Sequence, residues 1–234
     1  LMSCDAFGDC GSQKITVIGH GDSDDVPASN ANVIYEYAPG GSSLGEGHLV
    51  VPAPKPQYGG TVSIGVESEA TGLRPWEDAC SSPCLIFMQA VHDRLMEQTH
   101  TGAYSPQTAE SLTPNDDYTV WTMVLRPGIT FSNGDALTAQ TIADMFPIQQ
   151  TGAVSAGAVG RSGLVGVEAV GDLTVEYTLS ATNVAFAGEL ALQGLGMVFH
   201  PGLAVSDPDG YSLNPIGTGA FILETRDIDN ETVF

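Results

Sequence analysis

Hydrophobic and polar positions alternate most clearly between Tyr118 and Arg126, where Thr119, Trp121, Met123 and Leu125 interleave with Val120, Thr122 and Val124. A period of two predicts a strand in a covered sheet. Pro127-Gly128 turns the chain, Ile129-Thr130-Phe131 predicts a second short strand, and Asn133-Gly134 is a tight-turn pair. After Leu137 the period changes. Thr138 stands as an N-cap, and Ala139, Ile142, Ala143 and Met145 recur at helical spacing.

The same reading extends in both directions. Thr61, Ser63 and Gly65 alternate with Val62, Ile64 and Val66, predicting a half-buried strand that opens the globular part and runs into a polar loop, Glu67 to Trp76. Pro83 to Met96 predicts an amphipathic helix with Leu85, Phe87, Met88, Val91 and Leu95 on its apolar side, and His92 and Glu97 facing solvent. Thr151 to Gly163 consists of small residues and reads as a flexible connection. The runs Val165–Val170 and Leu173–Leu179 flank Gly171-Asp172, a hairpin signal. Ala185 to Leu195 is a candidate helix interrupted by Gly188 and Gly194, and Ile222–Arg226 and Thr232–Phe234 start two strands. Residues 1–57 are broken by Asp22-Ser-Asp-Asp25, Pro39-Gly-Gly-Ser-Ser43 and Pro52-Ala-Pro-Lys-Pro56. They read as a tether or loosely ordered extension, with a small β module as the competing reading.

Charge narrows the range of partners. Twenty-eight acids face seven bases, five of them arginines, for a net charge of −21. Such a surface repels nucleic acid phosphates and anionic lipid headgroups. Its two remaining explanations are solubility in a salty medium and attraction of cationic ligands. No run of about 20 apolar residues occurs. Of the four cysteines, Cys80 and Cys84 can close a disulfide around a turn at Ser82-Pro83. Leu1-Met2-Ser3-Cys4 reads like the end of a lipoprotein signal, which would make Cys4 a lipid anchor and the chain's only link to a membrane. The histidines at 20, 48, 92, 100 and 200 are scattered, with no zinc spacing, nucleophile elbow or Walker loop, so neither catalytic nor metal-ligating residues are assigned.

Four ordered blocks carry a resemblance: the Pro106-Gln-Thr-Ala-Glu-Ser-Leu112 segment, the Leu125-Arg-Pro-Gly…Asn133-Gly-Asp-Ala-Leu-Thr-Ala139 series, the Val165–Leu179 hairpin, and Asn214-Pro-Ile-Gly-Thr-Gly-Ala-Phe221. In this order the chain resembles the family 5 extracellular solute-binding proteins of ABC importers, the peptide/nickel type. The resemblance implies an α/β, periplasmic-binding-protein-like two-lobed fold of the class C type, here represented by the first lobe and its inserted subdomain. Residues 1–57 would be the extension, 58–79 and 210–234 the incomplete first lobe, and 80–209 an inserted α+β subdomain, with the second lobe absent and the chain an N-terminal fragment. It implies no enzyme activity, no cofactor, a peptide or other small solute as ligand, and the importer's permease subunits as partners. The location would be periplasmic or at the cell surface. Glu69, Ala70 and Thr71 match the family's ligand-contacting loop, with Glu69 a partner for a ligand amine. Trp76 either stacks on the ligand or packs in the core. Gly217, Thr218 and Gly219 either form a hinge or permit tight backbone packing. The family's Leu-Asp-Pro is Leu73-Arg74-Pro75 here. An acidic β-rich binding or scaffold module is the alternative reading, and a secreted hydrolase a third.

Overall fold

The computed structural model describes residues 63–66, 68, 70–228 and 230–234. The expectations for 1–57, the lipid anchor at Cys4 and the ligand contact at Glu69 lie outside the described residues.

A four-stranded antiparallel sheet organises the fold, in the order β3 (Ala109–Pro114), β4 (Val120–Leu125), β6 (Thr174–Leu179), β5 (Leu164–Ala169). The alternation read from the sequence fixes which face is inside. Trp121, Met123 and Leu125 of β4 and Val175, Tyr177 and Leu179 of β6 are buried, whereas the intervening residues are less so. Trp121 lies opposite Tyr177 and Met123 opposite Val175, so the buried side chains form one cross-strand layer. Asn115 closes the β3–β4 hairpin: its Oδ1 accepts the amides of Thr119 (2.9 Å) and Val120 (3.1 Å). Tyr118 takes a positive φ there.

The helix α2 (Ala139–Gln149) packs against β5 and β6 through Ala139, Ile142, Met145 and Phe146. It starts where expected, and Thr138 and Thr141 cap each other reciprocally, Thr138 Oγ1 accepting the Thr141 amide at 3.2 Å. Upstream, Ile129–Phe131 is not a full strand. Thr130 makes a single bridge to Ala136 around the turn at Gly134 (φ +91).

Three other expectations are corrected. The first helix, α1, spans Ser82–Val91 and stops short of Met96. Beyond it the backbone is extended, since Val198 N–H donates to the Asp93 carbonyl and Leu95 N–H to that of Gly196. Met96–Gln98 then forms β1, antiparallel to β2 (Tyr104–Pro106). Thr151–Gly163 is not a loose connection but carries the helix α3 (Ser155–Ser162), ended by Gly163 in the left-handed region. Its small residues allow close packing, as a Cβ on Gly194 would lie 3.0 Å from Ala158 Cβ. Finally, 63–66 form no strand. Ile64 is 62% exposed, and among the described residues no strand pairs with this segment.

The interrupted helix near Ala185 appears as two turns, α4 (Phe186–Glu189) and α5 (Gln193–Gly196). Then α6 (Pro201–Ser206) and α7 (Pro208–Leu213) lead to the crossover and the terminal hairpin of β7 (Thr225–Asp227) with β8 (Glu231–Val233). Two cores result. The larger joins the inner sheet face to α2, Phe186, Phe199 and Tyr211, and it includes Trp76. The smaller gathers Ala70, Leu73, Cys84, Met88, Met197 and Leu223, with Phe87 stacked on Phe234 against it.

Candidate functional site

The loop over 70–78 connects the two cores, and every part of it is held. Leu73 is buried and its amide donates to Ser212 Oγ at 3.1 Å. Arg74 closes a fork onto Asp78, with Nε to Oδ2 at 3.0 Å and Nη2 to Oδ1 at 2.8 Å, while the Arg74 amide donates to the same carboxylate at 2.9 Å. A second, longer contact runs to Asp209 at 3.5 Å. The hydrogen bonds to Asp78 are the leading reason that the Arg74 guanidinium is held above its ordinary pKa. Arg74 is therefore a structural clamp within its own loop. Gly72 is required by the same clamp, because a Cβ there would fall 2.1 Å from Asp78 Oδ2.

Neighbouring elements reach in to satisfy the loop's carbonyls. Trp76 O accepts the amides of Val154 and Ser155 and the Ser155 hydroxyl. Gln193 Nε2 donates to the carbonyls of Pro75 (3.2 Å) and Asp78 (2.7 Å). Arg226 donates to the Ala70 carbonyl and, at 3.5 Å, to that of Ser212. A disulfide between Cys80 and Cys84 then ties the end of the loop to the first turn of α1.

This geometry sorts the residues named from sequence. Thr71 is exposed on the fixed loop, and Ala70 is 2% exposed in the smaller core. Trp76 is a core residue: 5% exposed, its ring lies 4.5 Å from that of Phe199 and 5.0 Å from that of Tyr211.

The crossover places Gly217 and Gly219 hard against the end of α1. Gly219 N–H donates to Val91 O at 2.8 Å and Phe221 N–H to Ala90 O at 3.0 Å, while Gly217 O accepts the Ser132 amide at 2.9 Å. A Cβ on Gly217 would lie 2.0 Å from Val91 O, and one on Gly219 2.6 Å from the carbonyls of Ala90 and Val91. Neither has a positive φ among the glycines that do. Close backbone approach explains both glycines in this conformation. Thr218, between them, sits beside Asp93. Burial raises the Asp93 carboxyl above its ordinary pKa, and the Thr218 hydroxyl opposes that shift.

His92, expected on the solvent side of a helix, is 1% exposed. It caps α1 with its ring in the interior, stacked 6.0 Å from Tyr211, and Nδ1 lies 3.1 Å from the Val198 carbonyl. Desolvation pushes it down to about 4, the backbone groups of Val198 and Leu73 only partly compensating. Glu97 lies on β1 rather than on a helix. A second histidine, His200, caps α6 through Nδ1, which accepts the Leu203 amide at 3.3 Å. Its Nε2 donates to Asp135 at 2.9 Å, and that bond, with one from Asn133, holds Asp135 below its usual range.

Gln193, Arg226 and Arg94 escape the sequence reading. The scarcity of bases was the available signal: with only seven in the chain, each arginine is a candidate for a specific task. Among the described residues no group of three or more His, Cys, Asp or Glu side chains is arranged to hold a metal ion. No helix of the described residues is long and apolar enough to cross a membrane.

Known proteins share this architecture. The murein tripeptide binding protein MppA of Escherichia coli superposes with a TM-score of 0.64 at 19% identity, covering 71% of this chain and 36% of that one. The protein AgaA of A. tumefaciens R10, solved with agropinic acid, gives 0.62 at 24% identity over 70% of this chain and 33% of its own. These likenesses establish the periplasmic-binding-protein fold, of which this chain carries one lobe. The nickel-binding periplasmic protein of E. coli K12 is 28% identical over 156 residues, 65% of this chain and 30% of that protein. The chain thus spans about a third of the length of the relatives it matches. Residues 103–234, more than half of the chain, match the middle-region model of the bacterial extracellular solute-binding proteins, family 5, and the chain belongs to that family.

Proposed function

We propose that the chain is part of an extracytoplasmic receptor that captures a peptide or related small solute and delivers it to the permease of an ABC importer by lobe closure. The observation that carries this reading is the membership of a binding-protein family across β2 to β8, the part of the chain that builds the sheet and the crossover. Such receptors use closure of two bodies to exclude water and to signal occupancy. The clamped loop fits that task. A ligand contact on a loop fixed by Asp78, Gln193 and Arg226 loses little conformational entropy on binding. Thr71 offers an exposed hydroxyl on that loop, and Glu69 is the acid assigned to a ligand amine.

In this reading 58–79 and 210–234 belong to the first lobe and 80–209 to its insert. The smaller core spans that division, joining Ala70, Leu73 and Leu223 to Cys84, Met88 and Met197 of the insert. Gly217-Thr218-Gly219 is the assigned hinge, packed against the end of α1 in this conformation. Cys4 is the assigned anchor. The ligand class is tested by native mass spectrometry of the protein expressed from its full reading frame. A co-purifying peptide, released on denaturation and rebound saturably, is the expected result. Binding of a nickel chelate or an opine with no peptide would overturn the peptide assignment. Conversion of added solutes to products would overturn the receptor.

A further inference from the structure

In a chain with 28 acids and seven bases, an arginine that makes no ion pair is unusual. Among the described residues Arg94 is one. Its backbone is fixed: its amide donates to Gln107 Oε1 at 3.0 Å, and its carbonyl accepts the amide (3.1 Å) and hydroxyl (2.9 Å) of Thr108. Among the described residues its guanidinium has no ion pair, and its Nε is buried without a hydrogen-bond partner. Burial lowers its pKa, with the field of Glu97 opposing. Arg94 as a whole is half-buried, and its Nε is the guanidinium atom left both buried and without a partner, which is costly unless something else compensates it.

Arg94 lines a pocket of about 300 Å³ together with Leu85, Val154, Ala158, Leu192 and Arg161. Arg161 already donates to Glu189 at 3.1 Å, which leaves Arg94 as the pocket's uncommitted donor. The volume lies at the small end of ligand sites, and apolar walls with a few polar groups, here Arg94, Arg161 and Gln193, are typical of them. We propose that this pocket binds the carboxylate of a small amphiphilic organic acid, with the Arg94 guanidinium on the carboxylate and Leu85, Val154 and Leu192 around the apolar body. A guanidinium matches a carboxylate with two parallel hydrogen bonds, and the rest of this acidic surface repels anions, so binding is confined to this position. The inference requires neither lobe closure nor a transporter and is independent of the receptor reading.

Hexanoate is the probe and hexanamide its uncharged counterpart, both titrated into the 234-residue chain at moderate salt. Hexanoate is expected to raise the melting temperature saturably and to shift the methyl resonances of Leu85, Val154 and Leu192, whereas hexanamide does neither. Arg94→Met is expected to abolish the hexanoate response while melting, unliganded, at or above the native chain, because it removes an unpaired cation. Arg94→Lys keeps a charge without the fork and is expected to retain a weakened response. Equal responses to the two probes, no response to hexanoate up to tens of millimolar, or an undiminished response in Arg94→Met overturns the proposal.

Discussion

The buried His92 makes a quantitative prediction about acid stability. Its imidazole is neutral in the fold, with a pKa of about 4 against 6.5 for the free side chain. Below 6.5 the unfolded chain takes up a proton that the native state refuses, so stability falls as pH drops from 6.5 towards 4 and levels off beneath. Linkage gives a loss of about 2 kcal/mol between pH 7 and pH 5, approaching about 3 kcal/mol near pH 4. At roughly 2–4 °C per kcal/mol for a domain of this size, the first interval corresponds to a fall of about 4–8 °C in melting temperature. Asp93 works in the opposite sense. Its raised carboxyl contributes stability as pH falls through its native pKa, and the acidic surface adds its own dependence. Both backgrounds cancel when the native chain is compared with His92→Gln, which keeps a donor for the Val198 carbonyl but does not titrate. The assay is urea unfolding by circular dichroism from pH 4 to pH 7.5 at constant ionic strength. The difference between the two chains should shrink by about 2 kcal/mol from pH 7 to pH 5. Parallel pH profiles would refute a buried neutral imidazole.

Three further outcomes rest on the packing of the crossover and the 70–84 segment. Gly217→Ala should destabilise by about 3 kcal/mol, read by chemical denaturation, because the new methyl meets Val91 O at 2.0 Å and displaces a strand crossing that is hydrogen-bonded on both sides. Cys84→Ser should cost about 2 kcal/mol from the entropy of the short closed loop, and intact-mass analysis without reductant should find Cys80 and Cys84 protected from alkylation. Arg74→Met should cost about 2 kcal/mol by leaving the Asp78 side chain, only 10% exposed, without its fork, and increased proteolysis within 70–78 would report the loosened loop.

The elements that sequence predicts well here are those whose signal is local and repeated. The alternation of β4 and β6, the hairpin around Gly171-Asp172 and the Thr138 cap each follow from a few adjacent residues. What the sequence hides is set by partners far along the chain. The periodicity after Pro83 continues past Val91, but the backbone stops being helical there because extended pairing with 190–198 satisfies its amides instead. His92 is polar in type and sits within a helical pattern, so only its packing under Tyr211 reveals it as interior. Thr151–Gly163 lacks large apolar residues, and its helix exists because small side chains fit beneath Gly194. The candidate site shows the same division. The Gly and Pro residues of the loop over 70–78 mark it locally, whereas part of its anchoring comes from Gln193, Ser212 and Arg226, more than a hundred residues away. Trp76 reads from sequence more readily as a core residue than as a stacking platform, and Phe199 and Tyr211 are the rings it packs against.

The most direct test of the receptor account is small-angle X-ray scattering from the protein expressed from its full reading frame, with and without its co-purified solute. Closure predicts that the radius of gyration falls on saturation and recovers when the solute is removed. An unchanged radius with the solute demonstrably bound would contradict capture by lobe closure.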